Sequence, residues 1–336
     1  MDTDIILLGH GSGGKLSHQL LEELIIPTLS GVPMAGRNDA AVLEHNGSRF
    51  AFTTDSYVVD PVFFPGGNIG GLAVNGTVND LAMVGATPLV ISVGLIIEEG
   101  FSRRELAEIL TSMREAADRA GVSIAAGDTK VVPRGKADRI FINTSGIGFF
   151  NHTLEINGSN ARAGDKILIN GTIGDHGIAV MAKREGLELD TDILSDCAAL
   201  NNLIEELLEE GEAIHVLRDP TRGGVATTLK EIALQSDVSI TLDEAAFPLK
   251  GAVRGVCALL GLDPLYVANE GKVLVLAAPE AAERLLERMK QHPLGRDAAI
   301  IGEVTAVGGG RVQIETVVGG MRGVEMLSGE QLPRIC

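Results

Sequence analysis

The chain has 336 residues, of which 45% are hydrophobic and 22% charged, and it contains 42 glycines. This length exceeds what one hydrophobic core usually serves, so we expect two domains, and the composition is that of a folded protein. The formal net charge is −17, which argues against a nucleic-acid partner because phosphate binding needs a basic face. An acidic chain of this kind fits Mg²⁺ binding at clustered carboxylates.

Only three cysteines occur, Cys197, Cys257 and Cys336, and the last of them is the final residue of the sequence. Their odd number and unpaired spacing argue against a disulfide framework or a zinc site and favour a reducing cytoplasm. The N-terminus has neither a basic region nor a long apolar run, so we expect no signal peptide, and no stretch is long enough to span a membrane. A C-terminal prenylation box is excluded, because the cysteine of such a box stands fourth from the end and Cys336 is the last residue.

The first half of the chain predicts an α+β domain. Asn46-Gly47 lies between two alternating apolar runs, which is the strongest short-range hairpin signal. A helix is expected over about residues 69–84, a strand in "LVISVGLIIEE", and an amphipathic helix in "SRRELAEILTSMREAADRAG" with Ser102 at its N-cap and Gly121 after its end. Strands follow in "VSIAAGD" and "RIFINTSGIGFF".

The polar, turn-rich stretch "NHTLEINGSNARAGD" predicts a domain boundary near residues 150–160. The second half is typical of a mixed α/β domain. Its strand candidates are "KILINGT", "IHVL", "VSITL", "KVLVLAA", "AAIIGEV" and "RVQIE", and its helices are expected near 175–184, 198–210, 223–235, 249–260 and 280–291. From about residue 317 the sequence loses periodicity, and we expect an extended tail.

The N-terminal sequence "GHGSGGKL" nearly matches the P-loop pattern, with Gly9, Gly14 and Lys15 in place. The next position should supply a hydroxyl for Mg²⁺, but it is Leu16. A P-loop NTPase is therefore disfavoured. A glycine-rich turn that enters a helix over 15–28 can still hold a phosphate through its backbone N–H groups, and a flexible N-terminal arm is the alternative.

Four aspartates lie at expected turns or element ends beside small residues that let a ligand approach, namely Asp39, Asp55, Asp80 and Asp128. Each alone fits a capping or turn residue. Together they fit nucleotide-bound Mg²⁺, which takes few carboxylates from a protein. Lys130 follows Asp128 by two positions, so on a continuing strand the two side chains share a face. They could serve a metal and a phosphate, or simply form a salt bridge.

Two motifs of the second half place ionisable side chains among glycines at expected helix starts. "GTIGDHG" contributes Asp175 and His176, and "DPTRGG" contributes Asp219 and Arg222. An arginine there can bind phosphate oxygens bidentately, whereas Asp175 also fits a helix cap and His176 a surface position. In "ANEGK", Glu270 precedes a strand, where a carboxylate near an apolar wall can act as a base. A solvated turn is the alternative for this residue.

The three cysteines differ in their surroundings. Cys197 and Cys257 lie in apolar sequences that we expect to be helical, which indicates inert packing residues. Cys336 has no residue after it to pack against. A reactive thiol is the better interpretation of its position.

The chain resembles the HypE family of hydrogenase maturation proteins in a series of motifs that occur in the same order. They are "HGSGG", "TTDSYVVDPVFFPGGNIG", "NGTVNDLAMVGA", "GDTKVVPRG", "GTIGDHG", "RDPTRGG", "ANEGK" and the terminal "PRIC". The family lies in the superfamily of aminoimidazole ribonucleotide synthetase and selenophosphate synthetase. The aspartate and glycine motifs are shared by that superfamily, whereas "DPVFFPGGNIG" and "PRIC" are specific to HypE proteins. The resemblance covers almost the full length.

The resemblance implies an ATP-dependent carbamoyl dehydratase that supplies the cyanide ligands of [NiFe] hydrogenase. In this family the C-terminal thiol, here Cys336, receives a carbamoyl group from the carbamoyltransferase HypF. ATP then phosphorylates the carbamoyl oxygen, and loss of phosphate leaves a thiocyanate whose cyano group passes to iron on the HypC–HypD complex. Phosphorylation makes a poor leaving group a good one, and a base must remove N–H protons. Glu270 is the first candidate for that base and Lys130 the second.

The resemblance also implies which residues bind and act. Those expected to bind ATP are His10, Gly11, Ser12, Gly13, Gly14, Asp55, Asn79, Asp80 and Asp128. Mg²⁺ is expected at Asp39, Asp55, Asp80 and Asp128. Those expected to act in catalysis are Cys336, Glu270, Lys130, His176 and Arg222.

The fold that the resemblance implies is a two-domain, aminoimidazole ribonucleotide synthetase-like fold, α+β and then mixed α/β. We expect a glycine-rich segment and helix over 1–35, an ATP-binding domain over 36–152 whose sheet pairs across a homodimer, a C-terminal domain over 153–322 and a flexible tail over 323–336. Seven tail residues span at most roughly 25 Å. Such a tail can carry Cys336 into the cleft, away from water, or present it outside to the carbamoyltransferase.

Two other functions stay open. A purine-pathway or selenophosphate synthetase would share the fold, but selenophosphate synthetases carry cysteine or selenocysteine in the glycine loop, and "GHGSGG" has none. A purine enzyme has no use for a terminal cysteine. A non-catalytic scaffold would use the C-terminus only as a docking handle. ATP turnover that is indifferent to Cys336→Ala favours the synthetase, and an absence of ATP binding favours the scaffold.

Overall fold

The computed structural model describes residues 5–29, 38–187, 193–329, 332 and 334–336. The predicted boundary between the N-terminal segment and the first domain, at residue 35, lies outside these residues. In the described part of the chain, no helix is long and apolar enough to cross a lipid bilayer.

The structure contains the predicted strands and helices, although the residues at which they begin and end differ from those predicted. The strands of the first domain are β1 (Ala41–His45), β2 (Ser48–Tyr57), β3 (Phe63–Phe64), β4 (Gly67–Asn68), β5 (Thr87–Glu98), β6 (Ser123–Val132) and β7 (Ile140–Phe149). Those of the second domain are β8 (Lys166–Ile169), β9 (Ile214–Arg218), β10 (Val238–Asp243), β11 (Leu274–Ala277), β12 (Ala299–Val307), β13 (Val312–Glu315) and β14 (Met321–Val324). The α-helices are α1 (Lys15–Leu20), α2 (Ile26–Leu29), α3 (Ile69–Met83), α4 (Arg103–Ala120), α5 (Asp175–Arg184), α6 (Asn201–Leu207), α7 (Gly224–Gln235), α8 (Gly251–Leu260) and α9 (Pro279–Gln291).

Within the described residues, the first domain forms a five-stranded sheet in the order β1-β2-β7-β5-β6. β1 and β2 form the predicted hairpin, with His45 opposite Ser48. Asn46 and Gly47 have φ values of 50° and 78°, as a two-residue turn between right-twisted strands requires. β5 and β6 are parallel, so the chain must cross between them, and α4 makes that crossover. β6 is left as an edge strand.

The capping prediction for α4 is confirmed. The Ser102 hydroxyl accepts a hydrogen bond from the Glu105 N–H at 3.4 Å. Gly121 ends the helix in the left-handed region, with φ at 70°. The residue types at the two ends therefore set the length of this helix.

Helix α3 is buried along almost its whole length, against the sheet on one side and α4 on the other. Its small residues permit this close approach. A Cβ on Gly70 would lie 2.4 Å from the Ile109 carbonyl oxygen, and one on Gly76 would lie 2.2 Å from the Tyr57 hydroxyl. Asn68 caps the helix, and its side-chain oxygen accepts from the Gly70 N–H at 2.9 Å. The glycine-rich sequence thus fixes the centre of the first domain.

The second domain forms, among the described residues, a seven-stranded sheet in the order β14-β13-β10-β12-β8-β11-β9. Most neighbouring strands are antiparallel, while β10 and β13 run parallel. Helix α7 packs on one apolar cluster of this sheet, and α6 and α9 pack on another. The domain is mixed α/β, as the sequence predicts.

The prediction of an extended tail from about residue 317 is wrong for its first residues. Met321–Val324 form β14, which pairs with β13 in antiparallel register from Val312 opposite Val324 to Glu315 opposite Met321. Of the four β14 residues only Val324 is buried. One inward side chain in four residues is too short a pattern to predict a strand. The predicted domain limit at residue 322 falls inside this strand.

The predicted helix over 15–28 is helical but not uniform. Between α1 and α2, Leu21–Ile25 form a π-turn, in which the Ile26 N–H bonds to the Leu21 carbonyl. Pro27 follows directly. Proline lacks an N–H and its ring crowds the carbonyl four residues earlier, so a wider turn at this point relieves the crowding.

We predict that Gly76→Ala lowers the free energy of unfolding by about 1–3 kcal/mol, because the new methyl group overpacks the helix against the Tyr57 hydroxyl. Gly255→Ala in α8 is the control, since a Cβ there meets nothing within 4 Å. It should stabilise by up to about 1 kcal/mol through better helix propensity. Urea unfolding followed by circular dichroism measures both, and equal stabilities would contradict the packing at Gly76.

Candidate active site

A cleft between the two domains collects most of the predicted motifs. Its walls come from the N-terminal glycine turn, the residues after β2, the turn ahead of α7 and the C-terminal tail. The residues that line it include Gly11, Ser12, Val58, Arg222, Ala268 and Cys336. Segments that are distant in the sequence therefore meet at one place.

The C-terminal tail lies inside this cleft. The Val58 N–H donates to a terminal carboxylate oxygen of Cys336 at 3.0 Å, and the Asp60 N–H donates to the Arg334 carbonyl at 3.1 Å. The Ile335 side chain is 3% exposed and packs into the core of the first domain. Of the two positions that the sequence allows for the tail, the structure shows the inner one.

Cys336 is partly buried and its thiol lies among charged groups. Burial raises its pKa to about 12, against the opposing charge of Arg222. The carboxylates of Glu270, Asp55 and Asp219 raise it further. The effect is mutual: the pKa of the Arg222 guanidinium is raised, and the largest cause is the charge of the Cys336 sulfur. The docked residue is therefore a neutral thiol with one cation beside it.

Glu270 is a buried carboxyl whose charge acts on both Cys336 and Arg222. Burial raises its pKa well above the usual range, and Asp219 and Asp196 add to the effect. Its Oε1 is buried and has no hydrogen-bond partner among the described residues. Its backbone N–H donates to Asp196 Oδ1 at 3.1 Å, which fixes the position of the residue. A carboxyl group with a raised pKa is a stronger base than a solvated one.

A buried ion pair supports Glu270 and was not predicted. Lys272 Nζ lies 2.9 Å from Asp196 Oδ2, and both side chains are less than a tenth exposed. Although burial opposes it, Lys272 holds the pKa of Asp196 below its usual range. The contact joins two loops far apart in the sequence, so no local spacing pointed to it.

The predicted metal residues Asp39, Asp55 and Asp80 lie together, joined by Asp219. Burial raises the pKa of Asp80 well above its usual range, and the other three carboxylates add to the rise. Burial also raises the pKa of Asp219 to about 8 and that of Asp39 to about 6. Carboxylates that raise one another's pKa in this way create a negative potential that favours a bound cation.

Arg218, which the sequence analysis missed, holds this cluster in place. Its Nε lies 2.9 Å from Asp39 Oδ1, and its Nη2 lies 3.0 Å from Glu231 Oε2. The other oxygen of Glu231 lies 2.8 Å from His18 Nε2. The series of ion pairs joins α1, the second domain and the start of β1. Arg218 stands next to a predicted site residue, but only the fold shows what it contacts.

The aspartate cluster suits Mg²⁺ in its donor chemistry, since hard cations prefer carboxylate oxygens. Asp39 Oδ2 is buried and has no hydrogen-bond partner in the described part of the chain. Across the described ranges, no group of three or more His, Cys, Asp or Glu side chains is close enough to hold a metal by itself. The cluster thus fits an ion that takes further ligands from phosphate and water, and not one caged by protein alone.

Two of the predicted aspartates lie elsewhere than expected. Asp80 is inside α3 and not at a turn, and its Oδ2 accepts from the Thr53 hydroxyl at 2.8 Å. Asp128 is inside β6, and Lys130 Nζ donates to both its oxygens, at 2.8 and 2.6 Å, so the predicted shared face is confirmed. β6 stands three strands from β2, which separates this exposed pair from Asp55 by roughly 14 Å.

The glycine turn forms a wall of the cleft. Arg222 Nη1 donates to the Gly11 carbonyl at 3.4 Å. The Lys15 N–H, at the start of α1, donates to the Leu327 carbonyl at 2.8 Å. His10 Nδ1 accepts from a backbone N–H within its own turn. In this conformation the glycine turn and the start of α1 make hydrogen bonds to Arg222 and Leu327 of the same chain.

His176 contacts the backbone of the tail and not the thiol. Its Nε2 lies 2.8 Å from the Ile335 carbonyl and its Nδ1 lies 2.8 Å from the Ser195 hydroxyl. The ring is fully buried, and burial lowers its pKa. A neutral ring that donates from Nε2 and accepts at Nδ1 satisfies both contacts. The surface position considered for His176 is therefore wrong. Its neighbour Asp175 is not the helix cap, which is Gly174, but the first residue of α5, and it pairs with Lys250 at 2.8 Å.

Asn79, predicted to bind nucleotide, anchors the loop after α5. Its amide nitrogen donates to the Ala198 carbonyl at 3.0 Å and its oxygen accepts from the Leu200 N–H at 2.8 Å. Cys197 lies in this loop, so the expectation of a helix there is wrong. Cys257 is buried in α8, as predicted for a packing residue.

Comparisons with known proteins agree with this architecture. Residues 37–150 match the family described as AIR synthase related protein, N-terminal domain, and residues 162–315 match the C-terminal domain of the same family. The chain is 52% identical to carbamoyl dehydratase HypE of Cupriavidus necator, over 98% of this chain and 94% of that protein.

Two solved structures extend the likeness to three dimensions. A crystal structure of a HypE–HypF complex matches with a TM-score of 0.87 and 51% identity, over 92% of this chain and 99% of that one. A structure of hydrogenase maturation protein HypE in complex with ATP matches with a TM-score of 0.83 and 49% identity, over 99% of this chain and all of the other.

The two sheet domains and the acidic cleft between them define a protein of the AIR synthase related class. Within that class, two observations assign the chain to one family. They are the terminal cysteine in the cleft and the 52% sequence identity to a HypE protein over 98% of this chain. The chain belongs to the HypE family of carbamoyl dehydratases.

We predict that Cys336 reacts slowly with iodoacetamide while the tail is docked. Only the thiolate reacts, and below its pKa the thiolate fraction falls about tenfold per pH unit. A thiol whose pKa is raised from 9.0 to about 12 stays neutral through pH 8. Alkylation at pH 8 should therefore be at least about tenfold slower than in the free peptide LPRIC.

The pH dependence follows from the same shift. The docked state favours the neutral thiol, so docking is at full strength below pH 9 and weakens as the pH rises towards 12. The rate for the protein should approach that of the peptide over this range. Equal rates at pH 8, measured by mass spectrometry of the C-terminal fragment, would contradict a buried thiol.

Proposed function

We propose that this protein converts a carbamoyl group on Cys336 into a thiocyanate at the expense of ATP. The observation that carries the proposal is the docking of the terminal thiol among Arg222, Glu270 and the aspartate cluster. A tail that only served as a handle for other proteins would not need a buried acidic pocket. The family to which the chain belongs supports the same reaction.

The chemistry balances without a further reactant. The thiocarbamate S–C(=O)–NH₂ and ATP give the thiocyanate S–C≡N, ADP and phosphate. The carbamoyl oxygen takes the γ-phosphoryl group and leaves with it as phosphate, and the nitrogen gives up both of its protons. Phosphorylation is needed because an amide oxygen is otherwise a poor leaving group.

Glu270 is our candidate for the base. Its charge acts on Cys336 and Arg222, its backbone N–H is held by Asp196, and its pKa is raised by burial and by neighbouring carboxylates. Arg222 interacts electrostatically with both Cys336 and Glu270, so its guanidinium can offset negative charge on the transferred phosphoryl group. The cleft excludes water from a carbamoyl carbon that water would otherwise attack.

The nucleotide would lie against the acidic wall. The similar HypE structure with ATP supports ATP as the phosphoryl donor here. Asp39, Asp55 and Asp80 would hold its Mg²⁺, and the amides of the glycine turn would approach the phosphates. When bound, Mg²⁺ neutralises phosphate charge and orients the γ-phosphoryl group.

The partners follow from the two ends of the reaction. The similar HypE–HypF complex supports a HypF carbamoyltransferase as the source of the carbamoyl group. We place delivery of the cyano group at a HypC–HypD complex. The compartment we propose is the cytoplasm, where the free thiols of Cys197, Cys257 and Cys336 stay reduced.

We further propose that the protein acts as a homodimer paired through β6. This edge strand is exposed along nearly its whole length and carries apolar side chains at Ile124 and Val131. Long exposed edge strands with apolar side chains pair with another chain unless they are covered. Pairing with a second copy would bury Asp128 and Lys130 at the interface, where Lys130 could reach the partner's cleft as the second candidate for proton transfer.

We predict that Glu270→Gln accepts the carbamoyl group but forms less than about one hundredth of the thiocyanate, since a general base contributes about 10²–10⁴-fold. The measurement is a mass spectrum of the C-terminal fragment after incubation with HypF and carbamoyl phosphate, with and without ATP for this protein. The wild-type adduct should lose the mass of one water only when ATP is present.

Glu325→Gln is the matched control, because Glu325 has an exposed carboxylate that pairs with Lys230 and is not among the residues that line the cleft. It should behave as the wild type. Thiocyanate formation by Glu270→Gln at the wild-type rate would remove Glu270 from this role. An unmodified Cys336 in the wild type would overturn the proposed function. The synthetase and scaffold functions would then be the ones to test.

We predict that Ile124→Lys combined with Val131→Lys converts the dimer to a monomer, because like charges would face each other across the paired strands. Light scattering measures the change. Val318→Lys, at an exposed residue between β13 and β14, is the control and should leave the dimer intact. A wild-type protein that is monomeric would contradict pairing through β6.

A further inference from the structure

Arg184, at the end of α5, contacts the tail and the wall of the cleft at the same time. Its Nε donates to the Asp60 carbonyl at 2.7 Å, and its Nη2 donates to the Arg334 carbonyl at 2.7 Å. One rigid guanidinium thus joins a carbonyl of the first domain to a carbonyl of the tail. Both acceptors are backbone groups, so the contact fixes the position of the tail along the cleft without depending on its side chains.

A second set of contacts, made by its side chain, holds the same tail residue. The Arg334 side chain donates from Nε to the Val58 carbonyl at 2.9 Å, and its Nη1 pairs with Asp138 ahead of β7. Arg334 has φ at 51°, in the left-handed region, so the chain turns sharply just before Cys336. Both the backbone and the side chain of Arg334 are therefore bound.

The next residue is held by its carbonyl and by its side chain. The Ile335 carbonyl accepts from His176, and the Ile335 side chain is buried in the first domain. His176 is itself held by the Ser195 hydroxyl and packs edge-on against Phe64, with ring centroids 5.3 Å apart. The tail is thus bound at two successive carbonyls by two side chains of α5.

We propose that Arg184, His176 and Asp138 form a clamp that sets how far the tail enters the cleft, and so places the Cys336 thiol against Arg222 and Glu270. They are positioning residues, because none of them contacts the sulfur. The clamp also sets how often the tail leaves the cleft and becomes available for loading. This inference rests on the proposed function for its role in dehydration, but its effect on exposure of the thiol is independent of it.

The first test is the rate of Cys336 alkylation in the isolated protein, with no nucleotide or partner present. Alkylation proceeds through the released tail, so its rate rises with the fraction of tails that are out. Loss of hydrogen bonds from a charged donor should raise that fraction about ten- to a hundredfold in Arg184→Ala. Arg184→Lys should also raise it, because an ammonium lacks the planar fork that spans two carbonyls.

Lys183→Ala is the matched control. It removes a cation from the neighbouring, exposed position of the same helix and should leave alkylation unchanged. The pair of Arg334 and Asp138 provides a test that does not touch α5. Asp138→Arg and Arg334→Asp should each speed alkylation. The two changes combined should be slower than Arg334→Asp alone, because the ion pair is restored with its charges exchanged while the bond from Arg334 to the Val58 carbonyl stays lost.

The second test follows thiocyanate formation from carbamoylated protein after addition of ATP. Dehydration should fall only in variants whose alkylation rate has reached that of the free LPRIC peptide, because a tail that is mostly docked still reacts. Arg184→Ala combined with Asp138→Ala should reach that point and lose most of its dehydration. Carbamoyl loading by HypF should not be slower in this variant.

Two results would overturn the clamp. One is wild-type alkylation in Arg184→Ala together with wild-type alkylation in Asp138→Arg. The other is a fall in dehydration with no rise in alkylation, since Arg184 would then act on the chemistry and not on the tail. If the wild type forms no thiocyanate at all, the proposed function fails, while the alkylation rates still decide whether the clamp exists.

Discussion

The structure depends on hydrogen bonds between the backbone of the tail and the wall of the cleft. A peptide end that enters a buried space must pair its polar groups, since an unpaired carbonyl there costs about as much as a lost hydrogen bond. The carbonyls of Arg334 and Ile335 and the terminal carboxylate of Cys336 each accept a hydrogen bond from the protein. The thiol is therefore delivered to a defined point by contacts that do not involve sulfur.

The electrostatics of the cleft explain why a thiol can enter it at all. The carboxylates of Glu270, Asp55 and Asp219 all oppose a thiolate, and burial opposes it more strongly. A neutral thiol, or a neutral carbamoyl group in its place, meets no such penalty. The same negative potential favours a cation and raises the basicity of Glu270. One arrangement of charges would thus suit the docked tail, a bound cation and the proposed base.

The central helix connects this site to the fold. α3 carries Asp80 into the cluster and Asn79 to the loop that supports Glu270. Its glycines let it lie against the sheet and α4, so small displacements of the helix are resisted by close packing. Asp80 is thus held by a tightly packed core. The tail, which carries the reacting thiol, is held mainly by hydrogen bonds that can break and re-form.

The sequence by itself determined the elements whose signals are local. Asn46-Gly47 needs no tertiary contact to favour its turn, and Ser102 and Gly121 end α4 through their own backbone preferences. The resemblance of its motifs identified the family and predicted roles for the terminal thiol and the aspartates. β14 was not predicted, because one buried residue in four does not make a recognisable strand pattern. The helix expected at Cys197 does not form, because hydrogen bonds from Asn79 hold this segment as a loop.

Only the tertiary structure decided which charged groups meet. Arg218 with Asp39, Lys272 with Asp196, and Arg184 with the tail are contacts between segments far apart in the chain, and no spacing encodes them. It also decided that the pair of Asp128 and Lys130 lies on an edge strand, away from the cleft of its own chain. Local propensity acts over a few residues, whereas burial and charge pairing depend on how the whole chain is packed.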